Sequence, residues 1–130
     1  MTRGLDTSVV VRLLVGVPVD QALAARQAIE REPRGSVAVS DLVIGETYFA
    51  LRHHYDVPHR KAIAALTALA SDARIRCSGV AGRVLANMPD TKDGAGLMDR
   101  LIHGGYQSEG MTLLTFDRGA ARLPDATLLA

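Results

Sequence analysis

The sequence predicts an α/β protein in which a central, mainly parallel β-sheet is flanked by α-helices, as a single domain spanning residues 1–130. Three observations support this prediction. Short apolar runs typical of strands alternate along the chain with longer segments of helical character, a pattern that favours parallel sheets. The length of 130 residues suits one domain. No repeat, low-complexity tract or long linker divides the chain.

The first half of the chain is predicted to contain strands at 2–6 and 36–39 and helices at 9–15, 21–32, 42–55 and 58–70. The helices begin at residues that favour helix starts, namely Thr7 or Ser8, Pro18, Ser40 or Asp41, and Pro58. Pro33 and Gly35 end the second helix, which is rich in alanine.

The second half is predicted to contain strands at 74–77, 111–116 and 127–129 and helices at 80–87, 97–107 and 119–123. Met88 and Pro89 close the first of these helices, and a loop follows at 90–96. Gly104 and Gly105 weaken the second half of the next helix. The run 111–116 is the strongest strand signal in the chain.

The composition argues against several classes of protein. No stretch approaches the roughly 20 apolar residues of a membrane span, and the N-terminal residues lack the apolar region of a signal peptide. We therefore expect a cytoplasmic protein with no membrane partner. The single cysteine, Cys77, cannot form an internal disulfide and is expected to be a small buried residue at a strand end.

The types of basic residue are more informative than the net charge. The net charge is only +1, but every one of the 15 basic residues except Lys61 and Lys92 is arginine, which suits bidentate binding of phosphate. With 3 Tyr, 2 Phe and no Trp, the chain is a poor candidate for an extended surface that stacks nucleobases.

Two acidic residues follow predicted strands. Asp6 ends the first strand and Asp117 ends the strongest one. If both strands are central and parallel, their carboxyl ends meet at one edge of the sheet and bring the two carboxylates together. Helix capping is the alternative explanation for each residue.

Two further acids lie within apolar helical segments. The helical neighbours of Glu46 are all apolar, namely Leu42, Val43, Phe49 and Ala50. Asp99 lies among Met98, Ile102 and His103. A carboxylate on an apolar face is costly unless it is paired or bound to a metal, so the alternative for Asp99 is a buried salt bridge with an arginine. His103, one turn from Asp99, can also hold its carboxylate, whereas His59 is expected to be solvated.

Converging carboxylates repel one another, and a divalent cation relieves this repulsion. A site built only from oxygen ligands favours Mg²⁺ or Mn²⁺ over zinc. A cation held by acids in an open cleft is suited to phosphodiester hydrolysis, because it activates water and shields the charge that develops on the phosphate.

Four segments containing these acids resemble, in order, the four motifs of the PIN-domain family: residues 5–14, 44–52, 97–102 and 114–118. The resemblance covers essentially the whole chain. It implies a PIN-like fold and a Mg²⁺- or Mn²⁺-dependent endoribonuclease. At this length it resembles the VapC toxins of toxin–antitoxin pairs, which cut RNA such as tRNA or rRNA, form homodimers and are inhibited by a VapB-like antitoxin.

The resemblance also implies roles for individual residues. The catalytic and metal-binding residues would be Asp6, Glu46, Asp99 and Asp117. Secondary residues that orient carboxylates or water would be Thr7, Ser8 and Thr115. Candidates for contacts to RNA phosphates are Arg52, Arg100 and Arg118, for which ordinary surface charge is the alternative.

The sequence departs from the family pattern at one position. The family most often has another acid three residues before the third-motif Asp, where this chain has Gly96. Asp93 lies six residues before Asp99 on a flexible loop, so its contribution stays open, as does the choice between one metal ion and two.

Two other functions are consistent with an α/β chain of this length. A phosphoryl-accepting receiver-like domain would need adjacent acids after the first strand and a lysine near the last strands. Thr7 follows Asp6, and no lysine follows Lys92, so the sequence does not fit it. A non-catalytic PIN-fold module that binds RNA or protein stays open, although it predicts the loss of at least one motif acid and all four are present.

Overall fold

The computed structural model describes residues 2–130. It contains the α-helices α1 (Thr7–Val15), α2 (Val19–Glu30), α3 (Asp41–His53), α4 (His59–Ser71), α5 (Ala81–Ala86) and α6 (Leu97–Ser108). Its strands are β1 (Arg3–Gly4), β2 (Val37–Val39), β3 (Ile75–Cys77), β4 (Leu113–Thr115) and β5 (Ala126–Leu128). A 3₁₀ helix, Ala120–Arg122, separates the last two strands. The α/β class predicted from the sequence is therefore confirmed.

All strand pairing in the described residues is parallel, but it forms two sheets. β1, β2 and β3 form a three-stranded sheet in that order, and β4 pairs with β5 in a second sheet. The strand that precedes Asp6 is therefore an edge strand of the first sheet, and the strand that precedes Asp117 belongs to the second sheet, so the condition that both are central is not met. Its pairing covers only two residues, and the Leu5 amide extends it by donating to the Ala38 carbonyl at 2.9 Å.

One continuous apolar core joins the sheet to the helices. Val37 and Val39 of β2 are buried, whereas the intervening Ala38 is only half-buried, as the two-residue period of a strand requires. The core holds α3 and α6, which carry Glu46 and Asp99, and α1, which follows Asp6. Its largest fully buried apolar side chains are Ile44, Leu66, Leu97, Val10, Val37 and Val39.

Most helices match their predicted bounds to within about two residues. The first helix begins at Thr7, because the Asp6 carbonyl accepts from the Val9 and Val10 amides. Asp6 is therefore the N-cap residue, in place of Thr7 or Ser8. The Ser40 cap is confirmed, since its hydroxyl accepts from the Val43 amide at 3.3 Å. The segment predicted as a helix at 119–123 is the short 3₁₀ helix.

No single helix within residues 2–130 has the length and apolar character needed to cross a membrane. Of these helices, only α1 and α2 taken together are long and apolar enough for such a span, and they are bent by 112° relative to each other.

His59 is buried and hydrogen-bonded, so the expectation that it is solvated was wrong. Its Nδ1 lies 2.7 Å from the Tyr48 hydroxyl and its Nε2 lies 3.2 Å from the Pro89 carbonyl oxygen. A carbonyl can only accept, so Nε2 carries the proton and the Tyr48 hydroxyl donates to Nδ1 in the neutral ring. The pair connects α3 to the start of α4.

The Asp41 side chain connects the segments that follow β2 and β3, and it does not cap its own helix. Its carboxylate accepts from the backbone amides of Val80 at 3.1 Å and Ala81 at 2.9 Å, at the start of α5. Asp41 follows β2, and α5 follows β3, so the contact ties the two neighbouring βα connections together. A charged acceptor for two amides at a helix start stabilises that start.

We expect Asp41→Ala to lower the free energy of unfolding by about 1–3 kcal/mol, because two amides at the start of α5 lose their acceptor. Urea unfolding followed by circular dichroism measures the change. Asp20→Ala is the matched control, since Asp20 lies exposed in the first turn of α2. Equal losses in the two variants would contradict a special role for Asp41.

Candidate active site

Asp6 is exposed at the N-cap of α1 and is held in place by the residues that follow it. The Ser8 hydroxyl donates to Asp6 Oδ2 at 2.8 Å. This hydrogen bond, with further ones from the backbone amides of Ser8 and Thr7, keeps the pKa of the Asp6 carboxyl below its ordinary value. Asp6 is therefore ionised over a wider pH range than a free aspartate.

Glu46 lies beside the start of α1. The Thr7 hydroxyl donates to Glu46 Oε1 at 2.7 Å, which links α1 directly to α3. Glu46 itself is exposed, so the expectation that it is buried on an apolar face was wrong. Two of its apolar helical neighbours point to solvent as well, with Leu42 66% and Phe49 55% exposed. The prediction that Glu46 and these neighbours share one helical face was right, but this face of α3 does not pack against the core.

Asp99 lies half-buried in the first turn of α6. The only ion pair within residues 2–130 joins Arg3 to Glu32, so the salt bridge considered for Asp99 is not formed. His103 does not hold Asp99 either, because its Nε2 bonds to the Pro124 carbonyl oxygen at 2.7 Å.

The helices that carry Glu46 and Asp99 pack closely against each other. Gly45 faces Met98, and a Cβ atom at position 45 would overlap the Met98 sulfur. These two residues directly precede Glu46 and Asp99. The absence of a side chain at Gly45 therefore brings the two acid-bearing segments to one interface.

Asp117 organises the turn after β4. Its amide donates to the Thr115 hydroxyl oxygen at 2.9 Å, and its Oδ1 accepts from the Ala120 amide at 2.9 Å. Nearby, a Cβ atom at Gly119 would lie 3.0 Å from the Gly94 carbonyl oxygen. The turn thus packs against the loop that leads into α6, in which Asp93 is exposed.

The four acids are connected pairwise through their immediate neighbours. Asp6 is connected to Glu46 through Thr7, and Glu46 to Asp99 through Gly45 and Met98. Asp117 reaches the segment before Asp99 through Gly119 and Gly94. The carboxylates themselves stay apart: within residues 2–130, no three Asp, Glu, His or Cys side chains lie close enough together to hold a metal ion.

The donor chemistry of these residues nevertheless fits a hard divalent cation. The donors are carboxylate and hydroxyl oxygens, without a thiol or imidazole among them. Hydrogen bonds from Thr7 and Ser8 orient two of the carboxylates, as hydrogen bonds to the ligands do in many metal sites. Asp6, Glu46 and Asp117 are exposed, so their side chains can change rotamer.

The candidate arginines differ in how firmly they are held. Arg52 donates from Nη1 to the Val57 carbonyl at 3.1 Å, and Arg100 donates from Nε to the Ala95 carbonyl at 2.9 Å. Arg118 is exposed.

Cys77 is half-buried at the end of β3. Burial, with the charge of Asp41 as a smaller cause, raises the pKa of its thiol. The thiol is therefore poorly suited to act as a nucleophile, in agreement with the structural role expected for it.

Comparison with known protein families gives one match, to the family described as PIN domain, over residues 5–126. The matched range includes all four acids. No curated protein and no solved structure matches the chain.

We expect Ser8→Ala to raise the pKa of the Asp6 carboxyl towards its ordinary value, because the largest cause of its lowering is the Ser8 hydroxyl. The titration of the Asp6 carboxyl carbon by NMR, in buffer with EDTA, measures the midpoint. Ser36→Ala is the control, since the Ser36 hydroxyl donates to the Pro33 carbonyl. An unchanged midpoint in Ser8→Ala would show that the backbone amides alone set the pKa.

Proposed function

The chain belongs to the PIN-domain family, and from this premise we propose that it is a Mg²⁺- or Mn²⁺-dependent endoribonuclease. PIN domains are generally metal-dependent nucleases. Beyond this, we propose the RNA substrate, the identity of the metal and the residues that act. The observation that carries it is the hydrogen bond between Thr7 and Glu46, which connects the first acidic segment to the second.

We propose that the cation is held by Asp6, Glu46, Asp99 and Asp117. A bound divalent cation supplies a Lewis acid that activates water and stabilises the negative charge that develops on the phosphodiester. Asp6 contributes a carboxylate that stays ionised well below neutral pH, because of its hydrogen bonds to Ser8 and Thr7. Metal ligands must be deprotonated, so this property favours binding.

The secondary residues orient the acids. Thr7 fixes one carboxylate oxygen of Glu46 and leaves the other free to bind. Ser8 holds Oδ2 of Asp6, and Thr115 holds the backbone of Asp117. Arg118 is exposed and directly follows Asp117, so it is a candidate to contact a phosphate near this acid.

The finer assignment is a VapC-like toxin, whose single domain covers residues 1–130, acting in the cytoplasm on tRNA or rRNA and neutralised by a VapB-like antitoxin. Its support is the family match over residues 5–126, a range that contains all four acids. A non-catalytic module that binds RNA or protein is the alternative function, and an assay of RNA cleavage distinguishes the two.

The proposal of a homodimer is supported by exposed apolar side chains on two adjoining helices. Leu42 and Phe49 on α3 and Met98, Ile102 and Tyr106 on α6 are each at least 41% exposed. Exposed apolar side chains on neighbouring elements are typical of surfaces that another protein covers.

In total RNA with Mg²⁺, we expect the wild-type protein to cut a few discrete RNAs and EDTA to abolish the cleavage. Thr7→Val should lower the cleavage rate ~10–100-fold, because Glu46 loses the hydroxyl that orients it. Asp6→Asn should lower the rate further, because it removes a charged ligand. Denaturing gels followed by sequencing of the fragment ends measure the rate and the sites.

The matched controls are Thr67→Val, whose hydroxyl donates to the Ile63 carbonyl within α4, and Asp20→Asn on α2. Both should cleave as the wild type does. Cleavage that is equal in wild type and Asp6→Asn would refute the proposed site. Failure of the wild type to cut any RNA, while it still binds RNA or another protein, would support the non-catalytic module.

We expect Ile102→Glu to raise the dissociation constant of the homodimer by about tenfold or more, because a charge replaces an apolar side chain that the dimer would bury. Sedimentation velocity over a range of concentrations measures it. Leu23→Glu on α2 is the control, since Leu23 is also about half exposed. A wild-type protein that stays monomeric at high concentration would disprove the dimer.

A further inference from the structure

A pocket of about 240 Å³ lies between α5, α6 and the segment that follows the 3₁₀ helix. Arg83 and Asn87 line it from the α5 side, and Arg100 and Gln107 line it from α6. Pro124 closes it. The sequence singled out Arg100 but gave no reason to select Arg83, because only the packing of α5 on α6 brings the two together.

Both arginines are held in place by neutral acceptors. Arg100 is half-buried and donates through Nε to the Ala95 carbonyl, which leaves its two terminal nitrogens available. Arg83 donates from Nη1 to Gln107 Oε1 at 3.5 Å. A Cβ atom at Gly104 would lie 3.4 Å from Arg83 Nη2, so this guanidinium lies against α6 where that helix has no side chain.

The positive charge of the pocket is not compensated. No carboxylate lines it, and the single ion pair found in residues 2–130 lies elsewhere, between Arg3 and Glu32. A guanidinium group that a neutral acceptor already holds, as the Ala95 carbonyl holds Arg100, loses little entropy on binding an anion. Planar forks of N–H donors are the groups best matched to phosphate oxygens.

We propose that this pocket binds a backbone phosphate of the RNA, as a subsite separate from the acidic residues. The inference rests on the proposed function, since it names where the same substrate is held. Arg100 directly follows Asp99, and Leu123 and Pro124 lie a few residues after Asp117, so the pocket adjoins the segments that carry two of the acids. A phosphate bound here belongs to a nucleotide that flanks the cleaved bond.

The test measures binding of a fluorescein-labelled single-stranded RNA by anisotropy, in EDTA, over a range of salt concentrations. Removing one phosphate-binding group lowers the slope of log K against log salt concentration by ~0.7 for a single strand. We expect that decrease for Arg83→Gln, and about twice that decrease for the double variant Arg83→Gln/Arg100→Gln. The control is Arg34→Gln, which removes the same charge from the exposed turn between α2 and β2 and should leave the slope unchanged.

Unchanged slopes in Arg83→Gln, or an equal decrease in Arg34→Gln, would overturn the proposed subsite. Arg83 is exposed, so its variant should fold, and thermal unfolding verifies this. Cleavage assays on the same proteins separate the two proposals. If the wild type cuts RNA while Arg83→Gln binds like the wild type, only the subsite fails. If nothing cuts but the slope falls in Arg83→Gln and not in Arg34→Gln, the subsite holds and the nuclease assignment fails.

Discussion

The parallel pairing of β1 with β2 determines where the candidate site forms. The register places Arg3 opposite Val37 and Gly4 opposite Ala38, so both strands end at the same edge of the sheet. The helices that follow, α1 and α3, therefore begin side by side. The hydrogen bond from Thr7 to Glu46 spans this short gap, and it depends on the strand register more than on the local sequence of either helix. A shift of one residue in the pairing would separate the two side chains.

The other two acids depend on backbone approach in the same way. Met98 packs against Gly45 and so places Asp99 beside α3. Gly119 packs against Gly94 and so places the turn of Asp117 beside the loop before α6. In both cases the absence of a side chain makes room for the approach: a Cβ atom at position 45 would overlap the Met98 sulfur, and one at position 119 would lie 3.0 Å from the Gly94 carbonyl oxygen. The site is thus assembled from four segments that are far apart in sequence, and each is positioned by residues close to the acid more than by the acid itself.

Periodicity predicted most of the helices, and strand-end position and helical spacing selected the four candidate acids, because these signals depend on local sequence. Burial was not predictable from these local signals. The apolar helical neighbours of Glu46 were identified correctly, yet that face of α3 is exposed because the core lies on the side of Ile44 and Leu51. Asp41 was predicted, as the alternative to Ser40, to cap its own helix, since nothing local reveals that β3 ends beside it. Arg83 was missed for the same reason. Packing between segments distant in sequence decided each of these cases.

Under the proposed function, the exposure of the acids creates an electrostatic problem that the arginines and a cation would solve together. Asp6, Glu46 and Asp117 are exposed and would repel an RNA phosphate, and a net charge of +1 gives the protein no general attraction to nucleic acid. Under the proposed function, the substrate must therefore be attracted locally. A divalent cation neutralises part of the charge at the acids and gives a phosphate oxygen a direct positive partner, while Arg83 and Arg100 attract the neighbouring backbone without one. Metal would then be required for a phosphate to approach the acids as well as for hydrolysis, whereas the flanking interactions would persist in its absence.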